Sequence, residues 1–329
     1  MSRQVPIPVT LVSGFLGAGK TTLLNRILNS DHGLRMAVMV NDFGAINIDS
    51  QLIVSQTQTT VSLANGCICC TVESDLIEQL GRLLDDRQNR PEYIVIEASG
   101  VSNPGKIANT LRYPQFREAL AIDSILTVVD AEQFETLEGE MAQLAMEQLD
   151  VADIIVLNKV DRVSREQLDA LKARWLYPNA RLLECEYGEV PLELVLGVGR
   201  FKGGWSFRPA AAVQAPVLTT AREEDHAAIF DTWSFSSDRP LSLKGLRRAL
   251  SALPTDIYRA KGVCQIAEAP GKRCILHLVG SRNEIKPEPG WEGSEPYTQL
   301  IFIGRRGSID PEGMKTLFAG CVIEGTDGL

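Results

Sequence analysis

The sequence predicts an α/β protein: a doubly wound, mainly parallel sheet followed by a second, smaller α+β C-terminal domain. Three observations carry that expectation. Short β-branched runs alternate with helical stretches through the first two-thirds of the chain. A glycine-rich loop joins the first of these strands to the first helix. Between Phe201 and Glu224 the alternation stops and Gly203-Gly204, Pro209, a run of alanines and Pro216 take its place. Strands bounded by helices in this order build a parallel sheet covered on both faces, with ligands at the carboxyl ends of the strands. A length of 329 residues suits two domains. The expected division is 1–204 for the larger domain, 205–225 for a linker and 226–329 for the smaller domain.

The expected strands of the first domain are Val9–Ser13, Met36–Asn41, Thr60–Leu63, Tyr93–Glu97, Ser124–Asp130, Asp153–Asn158 and Ala180–Glu184. Most are short runs rich in Val, Ile and Leu. Between them, apolar residues recur at helical spacing over Thr21–Asn29, Ser74–Asp85, Met141–Leu149 and Arg165–Leu176. Beyond the linker the pattern gives a strand near Thr232–Phe235 and a helix near Ser242–Leu253. Strands at Gly262–Ile266, Cys274–Val279 and Gln299–Ile303 and a last helix over Pro311–Phe318 complete it.

Composition narrows the setting. An apolar share of 44% is ordinary for a soluble protein, and a net charge of −9 argues against bulk affinity for nucleic acid or anionic lipid. The first residues carry no apolar core of a signal peptide, and no apolar run approaches membrane-spanning length. A cytoplasmic protein is expected, with its seven cysteines reduced and available as ligands.

The chemistry begins at Gly14-Phe15-Leu16-Gly17-Ala18-Gly19-Lys20-Thr21, followed by Thr22. This is the Walker A pattern of a P-loop. Glycines let backbone N–H groups close around phosphate oxygens, and the helix N-terminus adds favourable partial charge. Lys20 is expected to reach the β- and γ-phosphates and the Thr21 hydroxyl to ligate Mg²⁺. Asn158-Lys159-Val160-Asp161 ends the apolar strand Ile154-Ile-Val-Leu. The Asp161 carboxylate suits the N1–H and exocyclic amino group of guanine, Asn158 another base edge, and the Lys159 stem the face of the ring. Adenine lacks that donor pair, so the expected nucleotides are GTP and GDP. At the end of another strand, Glu97 can hold Mg²⁺ or orient the attacking water, and Gly100 lets the backbone swing toward the γ-phosphate. Asp42, in Asn41-Asp42-Phe43-Gly44, offers a second acidic group to the same ion. No arginine beside the loop is recognisable as a finger, so slow intrinsic hydrolysis is expected.

Cys67-Ile68-Cys69-Cys70 places three thiols within four residues, between the phosphate loop and the next strand with a catalytic candidate. Thiolate sulfur favours soft metals such as Zn²⁺, and three thiolates leave one tetrahedral position for water, a client or a second copy of the chain. A nucleotide- or metal-dependent homodimer is therefore open. The isolated Cys185, Cys264, Cys274 and Cys321 read as structural.

The order GFLGAGKTT, NDFG, GCICC, EASG, NKVD resembles the CobW-type metallochaperone GTPases, the zinc-regulated GTPase metalloprotein activators of the SIMIBI class. The resemblance runs over the full chain, including Arg259–Gly262 and the strand Leu300-Ile-Phe-Ile-Gly304. It implies a GTP-hydrolysing switch that binds Zn²⁺, or Co²⁺ or Fe²⁺, through Cys67, Cys69 and Cys70 and delivers it to a client metalloprotein. Two features depart from the family pattern. Ala45 stands where many members carry an acidic residue, and the chain has only three scattered histidines where many members carry a histidine-rich tract. Both argue against metal storage and leave the thiol site untouched. The competing readings are a regulatory GTPase with redox-sensing or structural cysteines, and a small-molecule kinase, which Asn158–Asp161 disfavours.

Overall fold

The computed structural model describes residues 6–30, 32–41, 72–86, 89–176, 180–196, 230–288, 290–291 and 295–323. The expected strand Thr60–Leu63, the 205–225 linker, Asp42 and all three motif cysteines lie outside them. The chain forms two compact units.

The first unit holds six parallel strands: β1 (Ile7–Gly14), β2 (Met36–Asn41), β3 (Tyr93–Ala98), β4 (Leu120–Asp130), β5 (Ile154–Asn158) and β6 (Leu182–Glu184). Their order across the sheet is β2-β3-β1-β4-β5-β6. β3 and β5 are buried at every residue, which is why they read as unbroken apolar runs rather than alternating ones. The helices are α1 (Lys20–Asn29), α2 (Val72–Asp85), α3 (Pro104–Thr110), α4 (Gly139–Asp150), α5 (Arg165–Trp175) and the short α6 (Leu192–Val195). Leu76 and Leu80 of α2 and Ile107 of α3 pack with Val9, Leu11, Ile94 and Ile96 of the sheet. The opening of α5 is fixed by a capping box, in which Ser164 and Gln167 each bond the other's backbone.

Topology decides where a ligand goes. From β1 the chain builds outward to β2 and back through β3, then crosses to the other side of β1 with β4. The crevice at the carboxyl ends of β3, β1 and β4 is therefore the switch point, where open α/β sheets bind ligands. β1 and β3, which lead into the phosphate loop and Glu97–Gly100, end there, and β5 ends on the same edge of the sheet. β1 ends in Gly14 at φ 136°, with a hypothetical β-carbon 2.1 Å from the carbonyl oxygen of Val128 on β4. Gly14→Ala should thus destabilise the domain by about 3 kcal/mol or more, from backbone strain and overpacking together. Urea unfolding of the variant measures it, and a loss below about 1 kcal/mol would refute the close approach.

The second unit is an antiparallel sheet of β7 (Phe230–Ser237), β8 (Ile257–Gln265), β9 (Arg273–Val279), β10 (Arg282–Glu288) and β11 (Thr298–Arg305). Its order is β10-β9-β8-β11-β7. Leu246 and Leu250 of α7 (Leu243–Ser251) and Met314 and Phe318 of α8 (Pro311–Ala319) share one core with Leu276, Leu300 and Phe302 of the sheet. The Phe302 and Phe318 rings meet with centroids 4.7 Å apart. Cys264 and Cys274 stand in register on β8 and β9, so these two thiols are neighbours rather than isolated residues.

Candidate nucleotide site

The phosphate loop leaves β1 and returns into α1 with Gly19 in left-handed geometry at the helix N-cap. No side chain caps this helix start, so the backbone N–H groups of the first turn face the loop, as an anion site requires. Lys20 is the first helical residue and only 7% exposed. Its ammonium arches back to donate to the carbonyl oxygen of Phe15 at 3.2 Å, which holds the charge over the loop. Ala18 N donates to the same oxygen at 3.2 Å and tightens the turn.

Thr21 reaches sideways to β3. Its hydroxyl donates to Glu97 Oε1 at 3.0 Å, and Glu97 is buried. A hydroxyl and a carboxylate side by side at the mouth of a phosphate loop are hard oxygen donors, the set that fits Mg²⁺. Beyond Glu97 the chain turns at Gly100, where an added β-carbon would lie 2.8 Å from Leu16 N. The loop after β3 therefore rests directly on the phosphate loop. It is tied on its far side as well. Gln148 of α4, fully buried, donates from Nε2 to Gly100 O at 3.2 Å and Ser102 O at 3.0 Å.

At the end of β5 the side chains are tied to the protein around them. Asn158 is buried, and its Nδ2 donates to Ala18 O at 2.9 Å while its Oδ1 accepts from Gly188 N at 2.9 Å. The amide braces the phosphate loop against the turn after β6, so of its donors and acceptors one Nδ2 hydrogen is left for a base edge. Lys159 takes left-handed backbone geometry, φ 62°, and its ammonium bonds Asp130 Oδ2 at 2.6 Å. The chain then enters a 3₁₀ turn, Val160–Arg162, which presents Asp161 with its side chain exposed.

Three contributors escaped the sequence reading. Asp130 had a signal, an acidic residue closing a long apolar strand at the ligand end of the sheet. Gln148 had only its position on the apolar face of a helix. The turn Cys185–Gly188 carried Tyr187-Gly188, both with positive φ, and Tyr187 O accepts from Arg26 Nε at 2.7 Å. Burial pushes the Cys185 thiol up to about 12, and its Sγ donates to Asn158 Oδ1 at 3.5 Å. Burial likewise raises Cys264 to about 12 and lifts Cys274 and Cys321 above the ordinary thiol value. Neutral buried thiols are poor metal ligands. Among the described residues no group of three or more His, Cys, Asp or Glu side chains is placed to hold a metal ion.

Known proteins share this arrangement of sequence. Residues 8–181 match the family described as CobW/HypB/UreG, nucleotide-binding domain, and residues 230–322 the cobalamin synthesis protein cobW C-terminal domain. The zinc-regulated GTPase metalloprotein activator 1 of Dictyostelium discoideum is 32% identical over 321 residues, 85% of this chain and 67% of that protein. The zinc chaperone CobW of Pseudomonas aeruginosa is 31% identical over 93% of this chain and 89% of its own length. The zinc chaperone YjiA of Escherichia coli is 30% identical over 96% and 98%. With a phosphate loop at the sheet's switch point and matches of this extent on both units, the chain belongs to the CobW/HypB/UreG family of nucleotide-binding proteins.

Proposed function

We propose that this protein is a GTPase that acts as a zinc chaperone, passing Zn²⁺ to a client metalloprotein under nucleotide control. The observation that carries the reading is the convergence of Lys20, Thr21 and Glu97 at one strand end with Asn158, Lys159 and Asp161 at another. Gly14, Phe15, Leu16, Gly17, Ala18, Gly19 and Thr22 supply the phosphate cradle, with Lys20 as its charge. Asp161 reads guanine. Thr21 and Glu97, joined by Asp42, would hold Mg²⁺, which when bound draws charge from the β- and γ-phosphate oxygens. Gly100 is the hinge beside the γ-phosphate. Residues 1–204 act as the GTPase domain and 226–329 as the second domain, in the cytoplasm, with a homodimer as one source of the fourth metal ligand.

Zinc is the cargo, and Cys67, Cys69 and Cys70 are its proposed ligands on the strength of their spacing and of the relatives' identity as zinc chaperones. Coupling between two sites is reciprocal and typically about 1–3 kcal/mol. The expected result is a zinc affinity that differs by about 5- to 150-fold between the GDP form and a non-hydrolysable GTP analogue. A Co²⁺ titration of the fully reduced protein, read by sulfur-to-metal charge transfer in both nucleotide states, checks this. Thiolate binding with equal affinities would remove GTP control. Absence of the charge-transfer band would leave a regulatory GTPase without metal cargo.

A further inference from the structure

We infer that Asp130 is a positioning residue for base recognition, acting through Lys159 to aim Asp161; this rests on the guanine reading of Asn158–Asp161. Asp130 is the last residue of β4 and lies in register beside Asn158 of β5. Its side chain is only 5% exposed, and both carboxylate oxygens are engaged. Oδ1 accepts from Glu132 N at 3.0 Å and Gln133 N at 3.3 Å, and Oδ2 accepts from Lys159 Nζ at 2.6 Å. The bonds through Oδ1 fix the carboxylate to its own turn. It cannot follow the lysine, so the lysine is brought to it.

Lys159 is the residue at which direction is decided. Its φ of 62° is a conformation that side chains other than glycine, asparagine and aspartate adopt rarely. That single left-handed residue turns the chain out of β5 and into the 3₁₀ turn that displays Asp161. A charge-assisted bond on a largely buried carboxylate is among the stronger ties available to hold it. The same tie withdraws the ammonium from the phosphates. Lys159 then offers a nucleotide its methylene stem, and the phosphate charge is met by Lys20. Loss of the tether lets residue 159 relax toward ordinary backbone geometry, which moves Asp161 while leaving the phosphate loop in place.

The test uses the full chain and two variants. Asp130→Asn keeps the volume and the Oδ1 acceptor but removes the charge; Lys159→Met keeps the stem and removes the ammonium. Binding of GDP and of inorganic tripolyphosphate, which has no base, is measured by calorimetry alongside GTP turnover. Each variant should bind GDP about 10- to 100-fold more weakly. KM for GTP should rise while kcat at saturation holds, and tripolyphosphate affinity should match the wild type. The double variant should be no worse than either single one, because both break one bond. Wild-type GDP affinity in Lys159→Met, or equal weakening of GDP and tripolyphosphate in that variant, overturns the inference. Should Asp130→Asn fail to fold, Lys159→Met decides alone, since methionine keeps the apolar stem and Lys159 is not among the fully buried residues. A wild-type protein that binds ADP as tightly as GDP overturns the guanine reading itself, and this inference with it.

Discussion

Lys20→Ala should lower kcat/KM for GTP by about 10²–10³-fold or more, the loss seen when a charge-stabilising donor is removed from a transition state. The geometry explains why the effect should fall on function and spare the fold. The ammonium donates to a neutral carbonyl, Phe15 O, at 3.2 Å, and that oxygen also accepts from Ala18 N. Phosphate oxygens add the attraction of opposite charges to the hydrogen bond, which a neutral carbonyl does not offer the ammonium. Its removal leaves Phe15 O bonded and the loop closed. Single-turnover hydrolysis alongside thermal unfolding checks both halves. Turnover at the wild-type rate would place the phosphate site elsewhere.

The second large effect concerns base choice. Asp161→Asn should weaken GTP by about a hundredfold or more and confer use of xanthosine triphosphate. Guanine offers N1–H and an exocyclic amino group to the carboxylate; xanthine offers N1–H and an oxygen, which an amide meets with one acceptor and one donor. Asp161 is exposed on a short turn, so the substitution should change stability by no more than about 0.5 kcal/mol. Competition of GTP, ATP and xanthosine triphosphate for hydrolysis, in wild type and variant, reads the switch directly. Equal use of ATP and GTP by the wild type would sink the assignment.

What could be read from the sequence alone follows from which interactions are local. Tyr93–Ala98 and Ile154–Asn158 were legible because a strand buried on both faces must be apolar throughout. The phosphate loop was legible because its geometry demands glycine at fixed spacing. β10, Arg282–Glu288, escaped because it is an edge strand with one strongly apolar residue, Ile285, and with Pro287, which only an edge tolerates. β8 was expected from Gly262 but begins at Ile257, since Arg259 and Lys261 break the apolar signal; Arg259 is nonetheless buried. α3 escaped although Asn103 caps it, accepting from Gly105 N at 2.8 Å with Pro104 at the first turn. At seven residues it gives no helical period to detect.

The site divides along the same line. Lys20, Thr21 and Glu97 come together as the motifs imply. The bracing role of Asn158 was not legible, because its partners Ala18 and Gly188 lie 140 and 30 residues away. Nor was that of Asp130, whose tie to Lys159 spans 29 residues and exists only through the pairing of β4 with β5. Motifs record what touches the ligand. They are silent on what holds the holders.

Slack decides whether neighbouring parts of a protein move separately or together, and between Gly100 and Leu16 there is not enough to take a methyl group. With an added β-carbon 2.8 Å from Leu16 N and 2.7 Å from Leu16 Cδ2, a movement of residue 100 that uses up the space of that missing methyl meets Leu16 first. Leu16 is 55% exposed, so the receiving end of that push lies on the outside of the molecule. On the role proposed for Gly100, a third phosphate met at its backbone would be legible from solvent as a change of relief at a single leucine.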